Sequence, residues 1–426
     1  MLGSGAEPDP DCYKKELSIE AKTFTMNVPL HQSKGGPMLM KDYTAKLLNM
    51  KDVIVTNVEN ISDQLHISIE LPRRKHACPS CGAETDQIHD YRMQTIKDIP
   101  LGRETFLHLR KRRYRCTCGK RFFEENKFLP RYYRATGRLI AEIMLAFKKV
   151  ISAKEIGCRY NVSAITAMRY FNLFNTAPKQ LPEVLSLDEF KGNSGGEKYN
   201  CIVVDPKNRV VLEILPNRYE NDLIKYFSQF QSKQDVKFFV CDMNPHFRRV
   251  AEVCFPKAVI VADKYHVIRQ VYWAMEKVRK NEQSKLSDRF RKYFKRSRSL
   301  LMKRPDTLTE EEMNRLALMF EIAPRLADAY RLKNDFLTVM RSTSSEAGRP
   351  RLLDWLLSVD LMDMAEFSNC TTACRNWFHE ILNSMEVPWT NGYIEGCNNK
   401  TKVLKRVAYG MRNFSNFRKR ILFCNT

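Results

Sequence analysis

The stretch "VKFFVCDMNPHFRRVAEVCFPKAVIVADKYH", residues 236–266, decides how this chain folds. Its two apolar runs are short and rich in Val, Ile and Phe, which marks them as buried strands. A helical segment separates them, and strand, helix, strand is the signature of an α/β unit. Each run closes on an acid, Asp242 and Asp263, with His266 one helical turn beyond the second. An acid just past a buried strand is costly unless it meets a metal, a partner or water. Acids on neighbouring strand ends can share a hard cation, although strand ends also take acids simply as caps and turn residues.

Working outward, "LSLDEFKG" places Asp188 late on a short apolar strand, and "NCIVVDPKNRVVLEILPNR" follows as two strands turning at "DPKN". "YENDLIKYFSQF" adds a helix, so 184–263 runs strand, strand, strand, helix, strand, helix, strand. From 264 to about 385 nearly everything reads as helix, apart from a loop at "STSSEAGRP" (342–350). Within that region, 277–304 carries twelve basic residues and two acids. The closing segment, 387–420, is helical and holds eight Lys or Arg but one acid, Glu395. "WTNG" offers Thr390 and Asn391 as caps, which puts Glu395 in the first turns of a helix. There it either projects toward Asp188 and Asp242 or simply complements the helix dipole.

The chain has 426 residues, enough for roughly two to four domains with real cores. Its net charge of +22, from 71 basic and 49 acidic residues, fits a polyanionic partner, either nucleic acid or an acidic membrane surface. No apolar run approaches the roughly 18 residues of a membrane span, and the first twenty residues lack the pattern of a secretory signal. With no export signal, the thirteen cysteines point to a metal site in preference to a disulfide framework, and to the cytoplasm. Residues 1–44 are polar and rich in Gly, Pro and Ser, and read as a disordered leader. Residues 52–71 alternate apolar and polar, as a hairpin does.

"CPSCG" and "CTCGK" then supply Cys78, Cys81, Cys116 and Cys118. A short-spaced pair on a tight turn presents two thiolates to one ion, and two such knuckles close a tetrahedral zinc site. Gly82 and Gly119 follow the pairs, where a knuckle needs positive φ. The second pair has a single spacer residue, and His76, His89 and His108 are the alternative ligands. Residues 73–149 hold 19 Lys or Arg against eight acids, half of the net charge, with Arg112 and Arg113 in the run before the second knuckle. Such a surface binds phosphates in a steeply salt-dependent way. Residues 151–174 read as two short helices around "YNVS": Ile156 and Gly157 on the first, Asn161 in the turn, Ser163 as N-cap, and Ile165, Met168 and Phe171 packing the second against the first. That leaves Ala164, Thr166, Ala167, Arg169 and Tyr170 on its other faces, some of them free to meet a major groove. A plain αα-hairpin is the simpler alternative.

Taken in order, "CPSCG", the helix pair, "SLDEFKG", "VCDMNPHFRRVAEVCFPKAVIVADKYHVIRQV" and "NGYIEGCNNKTKVLKRVAYGMRNFSNFRKRI" resemble the ISL-three branch of bacterial DDE transposases over roughly 45–426. The resemblance implies a multidomain α+β and α/β protein. Its parts would be a zinc ribbon (45–130), a helix-turn-helix (131–178) and a ribonuclease-H-like catalytic core (179–426) interrupted by an all-helical insertion at about 275–385. It implies Asp188, Asp242 and Glu395 as the catalytic triad holding Mg²⁺ or Mn²⁺, structural Zn²⁺ on the four cysteines, and Asp263 and His266 as supporting residues. Lys400, Lys402, Lys405 and Arg406 join Ser163, Thr166, Arg169, Arg112 and Arg113 as expected DNA contacts. The expected partners are double-stranded DNA, as terminal inverted repeats and target, and further copies of the chain in a dimer or larger assembly, on the bacterial nucleoid and not at a membrane. The competing expectations are an inactive DNA-binding regulator and a nuclease or resolvase without strand transfer.

Overall fold

The computed structural model describes residues 48, 50, 52–175, 180–294 and 297–425; the 1–44 leader lies outside them. The described chain divides into two compact units, one running to 95 and including 106–126, the other comprising 96–105 and everything from 127 onward.

The first unit is built on a five-stranded sheet. Strands β1 (Ile54–Ile61) and β2 (Gln64–Glu70) form the expected antiparallel hairpin. Its turn places Ser62 and Asp63 at φ 49° and 63°, the left-handed pair that matches strand twist. Two-residue strands β3 (His76–Ala77) and β4 (Glu84–Thr85) frame the first cysteine pair. Long strands β5 (Ile88–Asp98) and β6 (Thr105–Arg115) and short β7 (Arg121–Phe123) complete the sheet in the order β1-β2-β6-β5, with β7 on β6. Alternation along β6 buries Leu107 and Leu109, and beyond a change of phase it buries Tyr114. It also buries Arg112, contrary to its expected place on a DNA surface. Its guanidinium donates to the Leu71 carbonyl and pairs with Glu70 at 3.2 Å and Glu124 at 3.4 Å.

The second unit opens with helices α1 (Gly137–Ala146), α2 (Ala153–Arg159) and α3 (Ala164–Phe171). Ser163 caps α3 as expected, and Asn161 adopts φ 50° in the turn. A Cβ on Gly157 would lie 2.5 Å from the Val162 carbonyl oxygen, so only glycine lets the two helices approach this closely. The face of α3 differs from expectation. Ala167, Tyr170 and Phe171 are buried, while Ile165 is 77% exposed. The stripe Ala167–Tyr170–Phe171 follows i, i+3, i+4 spacing, and Ile165 lies off it.

A second sheet follows, of β8 (Val184–Phe190), β9 (Asn200–Asp205), β10 (Val210–Leu215), β11 (Phe238–Cys241) and β12 (Val259–Ala262), in the order β10-β9-β8-β11-β12. The first three pair antiparallel; β11 pairs parallel with both β8 and β12. Helix α4 (Glu220–Ser228) precedes β11, α5 (Pro245–Cys254) links β11 to β12, and α6 (Lys264–Lys285) leaves β12. The expected element order over 184–263 is therefore observed in full.

The helical region continues as α7 (Asp288–Phe294), α8 (Arg298–Met302), α9 (Glu310–Ile322), α10 (Pro324–Val339), α11 (Ser345–Leu361), α12 (Ser368–Asn376) and α13 (Phe378–Glu386). The expected loop at 342–350 is mostly helix. Ser344 caps α11 by accepting from the Ala347 N–H, and Gly348 is held against Met385. Its polar, Gly- and Pro-containing composition hid a helix start. The chain closes with α14 (Gly392–Val407) and α15 (Phe414–Cys424). One face of the sheet, through Leu185, Leu187, Cys201 and Val203, joins the core of α4–α6 and the helical region. The other, through Phe190, Ile202 and Val204, is covered by Ile394, Cys397 and Leu404 of α14 and Phe417 and Ile421 of α15. Side chains two residues apart share a face, so Asp188 lies on the α14 side.

Candidate active site

The cysteines converge in the first unit. Sγ of Cys78 lies 3.7 Å from Cys118 and Sγ of Cys81 3.5 Å from Cys116, and all four sulfurs fall within 4.8 Å of one another. Each knuckle is closed by its glycine. Gly82 N–H donates to the Cys78 carbonyl and Gly119 N–H to Cys116, at φ 76° and 86°. The single spacer in the second pair does not prevent four-fold convergence. His76 packs at a tilt against Tyr114, and His108 meets His66 and Thr95, so neither stands in for a thiolate.

In the second unit the parallel register places three acids in a row. Cys241 pairs with Leu187 on β8 and with Ala262 on β12. One residue further, Asp242 therefore sits between Asp188 and Asp263, at about the 4.8 Å strand spacing from each. All three are largely buried. Burial pushes Asp188 up to about 7; His266 opposes this and the charge of Asp242 adds to it. Burial likewise pushes Asp242 up to about 6, against the pull of His266 and with the push of Glu189 and Asp263. Asp188 accepts from the Glu189 N–H and from Asn398 Nδ2 at 3.0 Å. Asp263 caps α6, bonds His266 Nδ1 at 2.7 Å and accepts from the Asn391 N–H at 3.1 Å. Burial opposes protonation of His266, but its bond to Asp263 together with the nearby carboxylate charges outweighs that and raises its pKa. Asp242 is different: its buried Oδ1 has no hydrogen-bond partner among the described residues. A buried, unmatched acceptor beside a second carboxylate is the donor set a hard divalent cation takes.

Helix α14 crosses this row. Asn391, just before its first turn, accepts from Ser186 Oγ at 2.6 Å through Oδ1, and Asn398 reaches Asp188. Glu395 lies between them on the same side of the helix, exposed, one turn from each. Its carboxylate is not drawn into a ligand cluster. Among the described residues the four cysteines are the only group of three or more His, Cys, Asp or Glu ligand atoms mutually within 4.8 Å.

Comparison with known proteins matches residues 185–421, more than half the chain, to the DDE family of ISL3 type described as Transposase. The chain belongs to the ISL3 family of transposases. Residues 74–118 match the zinc finger of the transposases of IS204, IS1001, IS1096 and IS1165. The transposase is 28% identical over 362 residues to the transposase for insertion sequence element IS1001 of Bordetella parapertussis, covering 79% of this chain and 85% of that one. It is 26% identical over 187 residues to the transposase for IS1557 of Mycobacterium tuberculosis, covering 38% of this chain and 42% of that one. A 100-residue stretch is 31% identical to a protein named ATP-dependent protease from Lactococcus lactis, covering 24% of this chain and 31% of that protein. The zinc-finger match and the convergent thiols together support structural zinc on Cys78, Cys81, Cys116 and Cys118 of the transposase. No helix among its described residues is long and apolar enough to cross a membrane.

The basic residues of the transposase divide into exposed and internal. Arg169, Lys402 and Arg406 are exposed; Ser163 and Thr166 bond each other at 2.9 Å at the start of α3. Arg113 is paired with Asp90, Lys400 donates to the Cys424 carbonyl and Lys405 to that of Gly192. Within the closing basic segment, Arg418 is paired with Glu213, and Arg420 is buried against Phe147 while donating to the Lys149 and Ile151 carbonyls. Reading the sequence alone gave Asn391 only as a cap and passed over Asn398. Their signal was spacing, since they stand four residues before and three after Glu395, on one helical stripe.

Proposed function

We propose that this transposase binds the terminal inverted repeats of an insertion sequence and carries out divalent-metal-dependent DNA strand cleavage and strand transfer. The observation that carries the reading is the side-by-side pair Asp188, buried, and Asp242, half-buried, with one carboxylate oxygen of Asp242 left unmatched among the described residues. Asp188, Asp242 and Glu395 would hold Mg²⁺ or Mn²⁺. The sheet order and its mix of antiparallel and parallel strands support a ribonuclease-H-like core over 179–426. The tight α2–α3 crossing and capped α3 support a helix-turn-helix within 131–178, and the thiol quartet a zinc ribbon within 45–130.

When bound, the cations supply Lewis acidity at the phosphoryl oxygens and a deprotonated attacking hydroxyl. The chain's own groups set the stage. Asn398 fixes one oxygen of Asp188 and the Glu189 N–H the other, so that carboxylate is oriented before DNA arrives. Asp263 fixes the ring of His266 through Nδ1, while Asn391 anchors the start of α14 to both β8 and Asp263. Glu395, exposed one turn from Asn398, would complete the set. Lys402 and Arg406 offer exposed charge to the phosphates, and a dimer or larger assembly holds the two ends together.

Purified Asp188→Ala, Asp242→Ala and Glu395→Ala variants are each expected to lose Mg²⁺-dependent cleavage while still shifting DNA that carries the repeats. Wild-type levels of cleavage in any one of them remove that residue from the triad. Joining of paired ends to a target plasmid separates a transposase from a nuclease that only cuts.

A further inference from the structure

Helix α14 ends in a Schellman motif: the Gly410 N–H donates to the Lys405 carbonyl at 3.0 Å and the Tyr409 N–H to that of Arg406 at 3.1 Å. The position after the cap must adopt left-handed backbone and is usually glycine. Here it is Tyr409, at φ 53°, and the glycine follows at φ 93°. A bulky residue is strained in that conformation, and strain of this kind persists where function needs it. Packing does not repay it, because Tyr409 is 94% exposed, more than any other large hydrophobic residue described. One other aromatic residue shares the conformation, Tyr132, and the Arg131 guanidinium sits 4.8 Å from its ring centre.

The surroundings of Tyr409 are cationic. Lys402, Lys405, Arg406, Tyr409 and Gly410 line a pocket of about 510 Å³. Lys402 bonds the Asn399 side-chain oxygen at 3.4 Å, Arg406 the Lys402 carbonyl at 3.4 Å, and Lys405 the Gly192 carbonyl. None of the three is paired with a carboxylate among the described residues. A bare aromatic face within uncompensated cations is the footprint of single-stranded nucleic acid, where bases stack on rings and cations track the backbone. Pairs inside a duplex are stacked on both faces, so the ring suits an unpaired base.

We propose that Tyr409 is a stacking platform for an unpaired base of the DNA, with Lys402, Lys405 and Arg406 holding its neighbouring phosphates. This rests on the reading of the chain as acting on DNA. Tyr409 lies fourteen residues after Glu395, twelve of them in α14, which is about 18 Å of helix plus the cap, or roughly six base-pair steps. DNA that is opened within about six positions of the cut can therefore reach both.

The test compares binding of two DNAs by the full-length protein, a blunt duplex and the same duplex ending in a fork of six unpaired nucleotides. Tyr409→Ala is expected to weaken fork binding about tenfold and leave blunt-duplex binding unchanged. Tyr409→Phe and Tyr409→Trp should bind the fork as wild type does, since they keep the ring. An unchanged fork affinity in Tyr409→Ala, or an equal loss on both DNAs, overturns the platform while leaving the DNA-acting reading intact. Failure of the wild-type protein to bind either DNA overturns both.

Discussion

At the scale of single residues, the acid row makes a pH-dependent statement. Burial raises the carboxyl of Asp242 from its ordinary value to about 6, so the folded state prefers it protonated. Its contribution to stability is therefore highest at low pH and falls as pH rises through the range from about 4 to 6. Asp242→Asn removes that penalty. In buffer free of magnesium but with zinc retained, the variant is expected to be more stable than wild type at pH 8 by something on the order of 2 kcal/mol, seen as a higher unfolding midpoint, and to gain nothing at pH 4. Equal midpoints at pH 8 would mean that the carboxylate is solvated and the pocket does not await a cation. Arg112 gives the opposite case. It was legible only as a charge in a basic run, because sequence does not say which charges find partners. Its two glutamates and its burial make it structural. Arg112→Ala should lower stability by roughly 3–5 kcal/mol, seen in a shifted unfolding midpoint, through the buried carboxylate it leaves unpaired.

Among elements, the strands of the second sheet were legible because β-branched and aromatic runs of four to seven residues leave few alternatives. What the sequence did not carry was register. That Asp188, Asp242 and Asp263 stand abreast depends on Cys241 pairing with both Leu187 and Ala262, a relation between segments more than fifty residues apart in one case. The outward turn of Ile165 on α3 was missed for a related reason. Three apolar positions within seven residues fit more than one stripe, and the neighbouring α1 chose the one through Ala167, Tyr170 and Phe171. The close crossing of α2 and α3 was readable from Gly157 itself. Gly157→Ala should cost on the order of 1–3 kcal/mol in an unfolding titration, because its methyl meets backbone that cannot step aside. Asn398→Ala should leave folding nearly intact and reduce cleavage by freeing one oxygen of Asp188. Asn398→Asp should abolish cleavage by setting a second charge against it.

For the whole molecule, the two compact units predict two responses to loss of metal. Cys78→Ser or Cys116→Ser should release zinc, measurable by metal analysis, and weaken end binding. The second unit, whose cores contain none of these cysteines, should keep its unfolding transition. Zinc-free wild-type protein would refute this. The order of modules could be read from the chain because each has its own local pattern, whereas the return of the last two helices onto the second sheet could not. That return also has a consequence in time. The apolar face formed by Phe190, Ile202, Val204, Val211 and Ile214 stays open until α14 and α15 have been made, some two hundred residues later. At ordinary rates of chain synthesis this is on the order of ten seconds or more. During that interval the ribosome carries a chain with a finished zinc module and an acid row that lacks its covering helix. Until then such a nascent chain presents a sticky apolar sheet face to any chaperone or second nascent copy within reach.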